Sequence, residues 1–190
     1  MTMQTENGRG RGGASWWRVL PWVGASALLA APAVAMRMGA DVQWTAFDFI
    51  VAGVMLAVPL TVFELAVRAS GSLAYRAGVV VALGTAFLIT WSNLAVGIIG
   101  SENDPINLMF FGVIFVAIAG AFLASFRARG LVIAMTAAAA AQAATAVVAL
   151  AGGHFTFVIV GFFMTGWLMS AWLFRRAAEE EARSAPPEPL

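Results

Sequence analysis

Five polar residues carry side-chain oxygens that could form a site in this chain: Asp48, Asn93, Glu102, Asn103 and Asn107. Three of them belong to "SENDPIN", the most polar run between two long apolar ones. Carboxylate and amide oxygens suit a hard cation, and they also hydrogen-bond polar headgroups. A carboxylate such as Glu102 or Asp48 could also act as an acid or base. We therefore take these residues as a candidate polar or ligand site.

The same segment also fits a tight turn between two helices. Gly97 and Gly100 lie where the preceding helix must stop, and glycine ends helices in a left-handed conformation at little cost. Asp104 followed by Pro105 is typical of an N-cap and the first residue of the next helix. This structural interpretation does not require the side chain of Glu102.

Asp48 and two further polar residues, Glu64 and Gln142, have structural interpretations. Thr45 and Asp48 fit a capping box, and the carboxylate also favours the positive end of the helix dipole. Glu64 stands four residues before Arg68, which predicts an ion pair along one helix. Gln142 lies near the middle of an alanine-rich run, where hydrogen bonding between helices is its commonest role.

Residue types that are missing or single exclude several chemistries. The chain has no cysteine, no lysine and one histidine, His154. It therefore lacks paired axial ligands for a haem, a multi-histidine metal site and a lysine for a retinal Schiff base. Neither a G-x-S-x-G elbow nor a phosphate-binding glycine loop is present. We expect no catalytic residues, no metal, no cofactor and no enzymatic activity.

Long apolar runs must position these residues. Of the 190 residues, 61% are hydrophobic and 11% charged, and the mean hydropathy is +0.86, well beyond ordinary soluble domains. Because lipid offers the backbone no hydrogen-bond partners, runs of this length predict transmembrane helices. The sequence predicts an all-α, polytopic transmembrane bundle with spans at about 19–36, 47–67, 77–99, 106–126, 131–151 and 155–174.

The first run has an alternative interpretation. "RVLPWVGASALLAAPAVAM" combines a basic residue, a short apolar stretch and the small residues 33–35, as a cleaved secretory signal would. Cleavage would leave five spans, and the orientation of the others would not change.

Charge predicts the orientation. With six spans and a cytoplasmic N-terminus, ten of the eleven arginines lie on the cytoplasmic side, and Arg37 alone lies outside. Both termini are then cytoplasmic. Residues 1–15 are predicted to form a disordered tail, 16–176 one transmembrane domain, and 177–190 a charged and then proline-rich tail. Across the boundary between this domain and the tail, "RRAAEEEAR" (175–183) is expected to extend the last helix, with Arg175 and Glu179 paired.

From Trp44 to about Phe174 the chain resembles an uncharacterised family of small bacterial multi-spanning inner-membrane proteins. The resemblance rests on "WTAFDF", "FEL", "YRAGV", "NLAVGIIGSENDPINLMFFG" and "SAWLFRRAA". The long central motif is the specific part. The resemblance implies a multi-pass protein of the bacterial inner (plasma) membrane, and it implies no particular activity.

Three function classes follow from these observations, and one of them, a membrane enzyme that uses Glu102 or Asp48 as acid or base, ranks below the other two. The first is an accessory or assembly-type helical bundle, because the small residues of the fourth and fifth runs favour close contacts between helices. Its partners would be the lipid bilayer and other membrane subunits or further copies of the chain. The alternative is a protein for permeation of small solutes or ions, with an outer polar vestibule lined by Asp48, Asn93, Glu102 and Asn107. Nucleic-acid binding is not supported, since the net charge is only +1. The solute, physiological process and oligomeric state stay open.

Overall fold

Six helices are present in the computed structural model, which describes residues 16–184, with side chains from residue 19 onward. They are α1 (Trp16–Arg37), α2 (Ala46–Ala69), α3 (Leu73–Ala95), α4 (Leu108–Leu123), α5 (Ala128–Ala151) and α6 (Phe157–Ser184). A short 3₁₀ helix, Pro105–Asn107, leads into α4. The predicted disorder of residues 1–15 and the end of the C-terminal tail (185–190) lie outside the described residues.

All six helices, with the 3₁₀ turn counted into α4, are long and apolar enough to cross a membrane. The described part of the chain contains no strand. The prediction of an all-α architecture with six membrane-length helices is therefore confirmed. These lengths and compositions support a multi-pass membrane protein.

Two helices end earlier than the sequence predicted. The third run was expected to reach residue 99, but α3 ends at Ala95, because Gly97 turns the chain at a φ of +72°. The fourth run was expected to reach residue 126, but α4 ends at Leu123. Beyond it, Ser125 and Phe126 take φ angles of 48° and 57°, which no continuing right-handed helix allows.

The chain divides into two units, Met1–Leu60 and Thr61–Leu190, which we describe separately. In the first unit, α1 passes close to the beginning of α2. A Cβ atom added to Gly53 would lie 3.7 Å from Leu29 Cδ2. Trp44, just before α2, packs edge-on against Phe49 with ring centroids 5.1 Å apart. No residue of α1 from Val19 to Arg37 is buried.

In the second unit, α6 packs against both α3 and α5, and α5 also packs against α4. The core contains large side chains of α6 such as Phe163, Trp167 and Phe174. Small residues let the other helices approach closely: a Cβ on Gly120 of α4 would lie 2.7 Å from Ala134 Cβ of α5. The expectation that the alanine-rich helix packs closely against its neighbours is confirmed.

The last helix continues well beyond its apolar part. It reaches Ser184, as the charge pattern predicted, and Arg175 Nε lies 3.2 Å from Glu179 Oε1. Ser72, at the start of α3, donates a hydrogen bond of 2.7 Å to Glu180. The guanidinium of Arg176 stacks on Trp172 at 4.3 Å.

Candidate functional site

The loop between α3 and α4 is held closed by one buried side chain, Asn107. Its Oδ1 accepts a hydrogen bond of 2.9 Å from the backbone N–H of Ile99. Its Nδ2 donates to the carbonyl oxygens of Ile99 at 2.9 Å and Ser101 at 2.8 Å. Only 3% of Asn107 is exposed. We call this arrangement the Asn107 clasp: the amide uses its polar atoms on the loop backbone rather than presenting them to a ligand.

Glycine and Asp104 shape the rest of this loop. Gly97 and Gly100 have φ angles of +72° and +65°. A Cβ on Gly97 would overlap the backbone of Ser101, so only glycine fits this position. Asp104 caps the 3₁₀ helix that starts at Pro105, accepting a hydrogen bond of 3.1 Å from the Ile106 N–H. The interpretation of this segment as a tight turn with an aspartate cap and a proline at the first position is confirmed.

Glu102 and Asn103 lie at the tip of the loop and are exposed. Asn103 Nδ2 donates a hydrogen bond of 3.2 Å to Glu102 Oε1. Glu102 Oε2 and Asn103 Oδ1 accept no hydrogen bond from the described residues. No hydrogen bond joins either of them to the Asn107 clasp.

Asn93 lies near the end of α3 and is 3% exposed. Its Nδ2 donates to the Ile89 carbonyl of its own helix at 2.8 Å. Its Oδ1 has no hydrogen-bond partner among the described residues. The structure thus places Asn93 in the interior, and among the described residues it forms no hydrogen bond with Glu102, Asn103 or Asn107.

Asp48 belongs to the first unit and forms the predicted capping box. Its Oδ2 accepts hydrogen bonds from the Thr45 N–H at 2.7 Å and the Thr45 hydroxyl at 2.8 Å. The Asp48 N–H donates in return to Thr45 Oγ1 at 3.4 Å. This carboxylate is therefore used to start α2.

Glu64 and Arg68 are the predicted ion pair near the end of α2, in the second unit. Arg68 Nη2 lies 3.4 Å from Glu64 Oε2. Arg76 caps the same helix end: its guanidinium donates to the carbonyls of Ser70 at 2.9 Å and Val67 at 3.0 Å. Glu64 and Arg68 therefore pair with each other, and Arg76 binds carbonyl groups at the end of α2.

The interior of the second unit contains more polar atoms than the sequence analysis identified. Gln142 is fully buried, but the expected hydrogen bond to another helix is absent among the described residues: its Nε2 reaches the Thr145 hydroxyl of its own helix at 3.4 Å, and its Oε1 has no partner. Trp167 Nε1 and Thr156 Oγ1 are also buried there and have no hydrogen-bond partner within the described part of the chain. Ser170, by contrast, donates a hydrogen bond of 2.9 Å across to the Gly78 carbonyl of α3.

Part of this interior follows a helical repeat in the sequence, but the repeat alone does not identify it. Phe163, Trp167, Ser170 and Phe174 follow one another at intervals of four, three and four residues, and all four are buried. Such spacing lines one face of a helix. In a chain this apolar, lipid-facing positions are apolar as well, so the repeat does not stand out. The missed residues are therefore visible only once the packing is known.

The described residues contain no group of three or more His, Cys, Asp or Glu side chains that could hold a metal ion. Among the described residues, these polar side chains thus form an amide clasp, three helix caps, one ion pair in α2 and a few unpaired interior atoms. A scan of protein-family models and searches of curated proteins and of solved structures found no match to the chain. The family resemblance in the sequence motifs stays a prediction.

Proposed function

We propose that this chain is a non-enzymatic accessory or assembly subunit of the bacterial inner membrane, with both termini in the cytoplasm. The observation that carries the proposal is uneven burial. In α2 only Ala66 is buried, and α1 contains no buried residue from Val19 onward. Each of the helices α3 to α6 contributes several buried residues to the core of the second unit. The described chain therefore contains one packed bundle, in the second unit, and one membrane-length helix, α1, none of whose residues from Val19 onward is buried.

The composition of α1 favours a protein neighbour over lipid. Gly24, Ala27 and Ala31 are exposed and lie along one side of the helix at intervals of three and four residues. A Cβ added to Gly24 would meet no atom within 4 Å. Apolar surface alone does not drive helices together in lipid, whereas small residues let backbones approach closely. This small-residue side of α1 suits a helix of another membrane protein.

The polar candidates give second support, because structural roles account for two of the five. Asn107 closes a loop and Asp48 caps α2. A permeation site would instead need these oxygens free to replace the hydration shell of a solute. Their use within the chain therefore favours a structural role for the bundle.

One observation favours the permeation alternative. Asn93 Oδ1, Gln142 Oε1 and Trp167 Nε1 are buried in the second unit without partners among the described residues. Unpaired polar groups at membrane depth mark solute pathways in many transport proteins. The alternative predicts solute flux into proteoliposomes that is lost in Gln142→Met, and the accessory role predicts no flux in either protein.

Site-specific crosslinking on α1 tests the accessory role. Because the chain has no cysteine, each single-cysteine variant has one thiol, at the chosen position. We would label Ala31→Cys with a photoreactive maleimide in native membranes. The matched control is Ala33→Cys, which is also exposed but lies about 200° around the helix. We expect Ala31→Cys to crosslink to a different membrane polypeptide, and Ala33→Cys to give mainly lipid adducts.

Two results of this experiment would contradict the proposal. Equal labelling of lipid by both variants would mean that α1 faces the bilayer on all sides. A product with twice the mass of the 19.9 kDa chain would mean that α1 pairs with a second copy instead of a different subunit.

A further inference from the structure

A cleft of about 330 Å³ lies between the first turns of α5 and the extension of α6. Its polar lining consists of Arg129, Arg175 and Glu179. The remaining walls are small and apolar: Val132, Ala178 and Ala182. The cleft lies wholly within the second unit and contains none of the residues of the Asn107 clasp.

The charge in this cleft is positive. Arg129 is exposed and forms no ion pair or side-chain hydrogen bond among the described residues. Arg175 Nε bonds Glu179 Oε1 at 3.2 Å, and both side chains are more than half exposed, at 73% and 51%. Such an exposed pair is weak, and the terminal nitrogens of Arg175 keep donors to spare. Two guanidinium groups and one carboxylate thus leave one net positive charge.

The beginning of α5 adds to this positive field. Arg127 is the N-cap residue and provides no side-chain hydrogen bond to the helix. The first N–H groups of α5 therefore keep unused donor capacity, and the helix dipole is positive at this end. Arg129 in the first turn makes an unfavourable pairing with that dipole. A bound anion would relieve it.

We propose that this cleft binds a phosphate group, and that its source is the headgroup of an anionic phospholipid. Guanidinium groups bind phosphate oxygens with paired, charge-assisted hydrogen bonds. The apolar wall of Val132 and Ala178 continues from the cleft along two membrane-length helices, which suits the glycerol and first acyl carbons of a lipid. Trp172, half exposed beneath Arg176, lies in the region where aromatic side chains mark a membrane surface.

Native mass spectrometry of the full chain in detergent tests the site by titration with phosphatidylglycerol or phosphatidylcholine. We expect the wild-type chain to retain phosphatidylglycerol preferentially. Arg129→Gln should weaken that binding about five- to tenfold. A single arginine near an anionic membrane surface strengthens binding by about that factor. Arg127→Gln is the matched control: Arg127 is exposed and two residues away but does not line the cleft. It should change binding less than about twofold.

A second variant separates the cleft from charge alone. Ala182 lines the cleft at an exposed position, so Ala182→Leu places a larger side chain in the cleft without altering any charge. Thermal melting should be unchanged, while phosphatidylglycerol retention should fall. Retention that Ala182→Leu leaves intact, or that Arg127→Gln and Arg129→Gln lower equally, would overturn the site in favour of general attraction between charges. Binding of inorganic phosphate alone, dependent on Arg129 and without preference for phosphatidylglycerol, would overturn the lipid source.

Discussion

Replacing Asn107 should destabilise the protein more than replacing any other residue of the "SENDPIN" segment. Asn107→Ala removes three hydrogen bonds of 2.8–2.9 Å at once. The residue left most affected is Ile99, which is 2% exposed, so its N–H and carbonyl have no ready access to water. The loop would then have to open or keep unpaired backbone groups in the interior.

The expected magnitude follows from those three bonds. A net contribution of about 1 kcal/mol for each, together with the cost of an unpaired buried N–H, gives a loss of about 3–5 kcal/mol in the free energy of unfolding. Asn107→Asp should be no better near neutral pH. Its carboxylate still accepts from the Ile99 N–H, but it places a second negative oxygen against the carbonyls of Ile99 and Ser101.

The assay is thermal or denaturant-induced unfolding of purified protein in one detergent. Asn103→Ala is the matched control, because Asn103 is an exposed asparagine of the same loop whose side chain bonds only to exposed Glu102 among the described residues. It should lie within about 0.5 kcal/mol of the wild type, and so should Glu102→Gln. An Asn107→Ala protein that unfolds like Asn103→Ala would refute the clasp as the element that holds this loop.

Three further substitutions test the packing and the caps. Gly120→Ala should cost about 1–3 kcal/mol, because its Cβ would press on Ala134, while Gly112→Ala in the same helix meets no atom within 4 Å and should be neutral or slightly stabilising; equal melting temperatures would contradict the close packing of α4 and α5. Asp104→Ala should lower the free energy of unfolding by about 0.5–2 kcal/mol, because the helix cap is lost. An unchanged melting temperature would show that the cap does not stabilise the protein. Gln142→Met should leave stability equal or higher, because it removes an unpaired buried acceptor; a clear loss of stability would instead show that Gln142 Oε1 has a partner such as ordered water.

The sequence predicted the features that depend on local spacing. The capping box of Thr45 and Asp48 and the pair of Glu64 and Arg68 lie three and four residues apart, and a helix start or one helical turn is enough to bring each pair together. The six apolar helices follow from run length alone, because the bilayer allows no other backbone arrangement for such runs. These predictions needed no knowledge of tertiary contacts.

The role of Asn107 could not be predicted from spacing. An asparagine at a helix start is equally consistent with a ligand site, a cap or a solvated turn, and its hydrogen bonds to Ile99 exist only once Gly97 has bent the chain back. Asn93 and Gln142 show the same limit. The sequence analysis treated Asn93 as a candidate site residue and Gln142 as a hydrogen-bonding partner for another helix, and spacing did not show that either amide would turn back on its own helix. The two amides bond within their own helices.

The central claim, that α1 joins this bundle to a different membrane protein, is tested most directly by gentle purification of the protein from native membranes. The composition of the intact complex would be measured by native mass spectrometry for the wild type, Gly24→Leu and Ala33→Leu. We expect a second membrane polypeptide at fixed stoichiometry that is retained with Ala33→Leu and lost with Gly24→Leu, a position where an added Cβ atom meets no described atom within 4 Å. A wild-type chain that is released alone or only as copies of itself, or a partner that both variants retain, would contradict it.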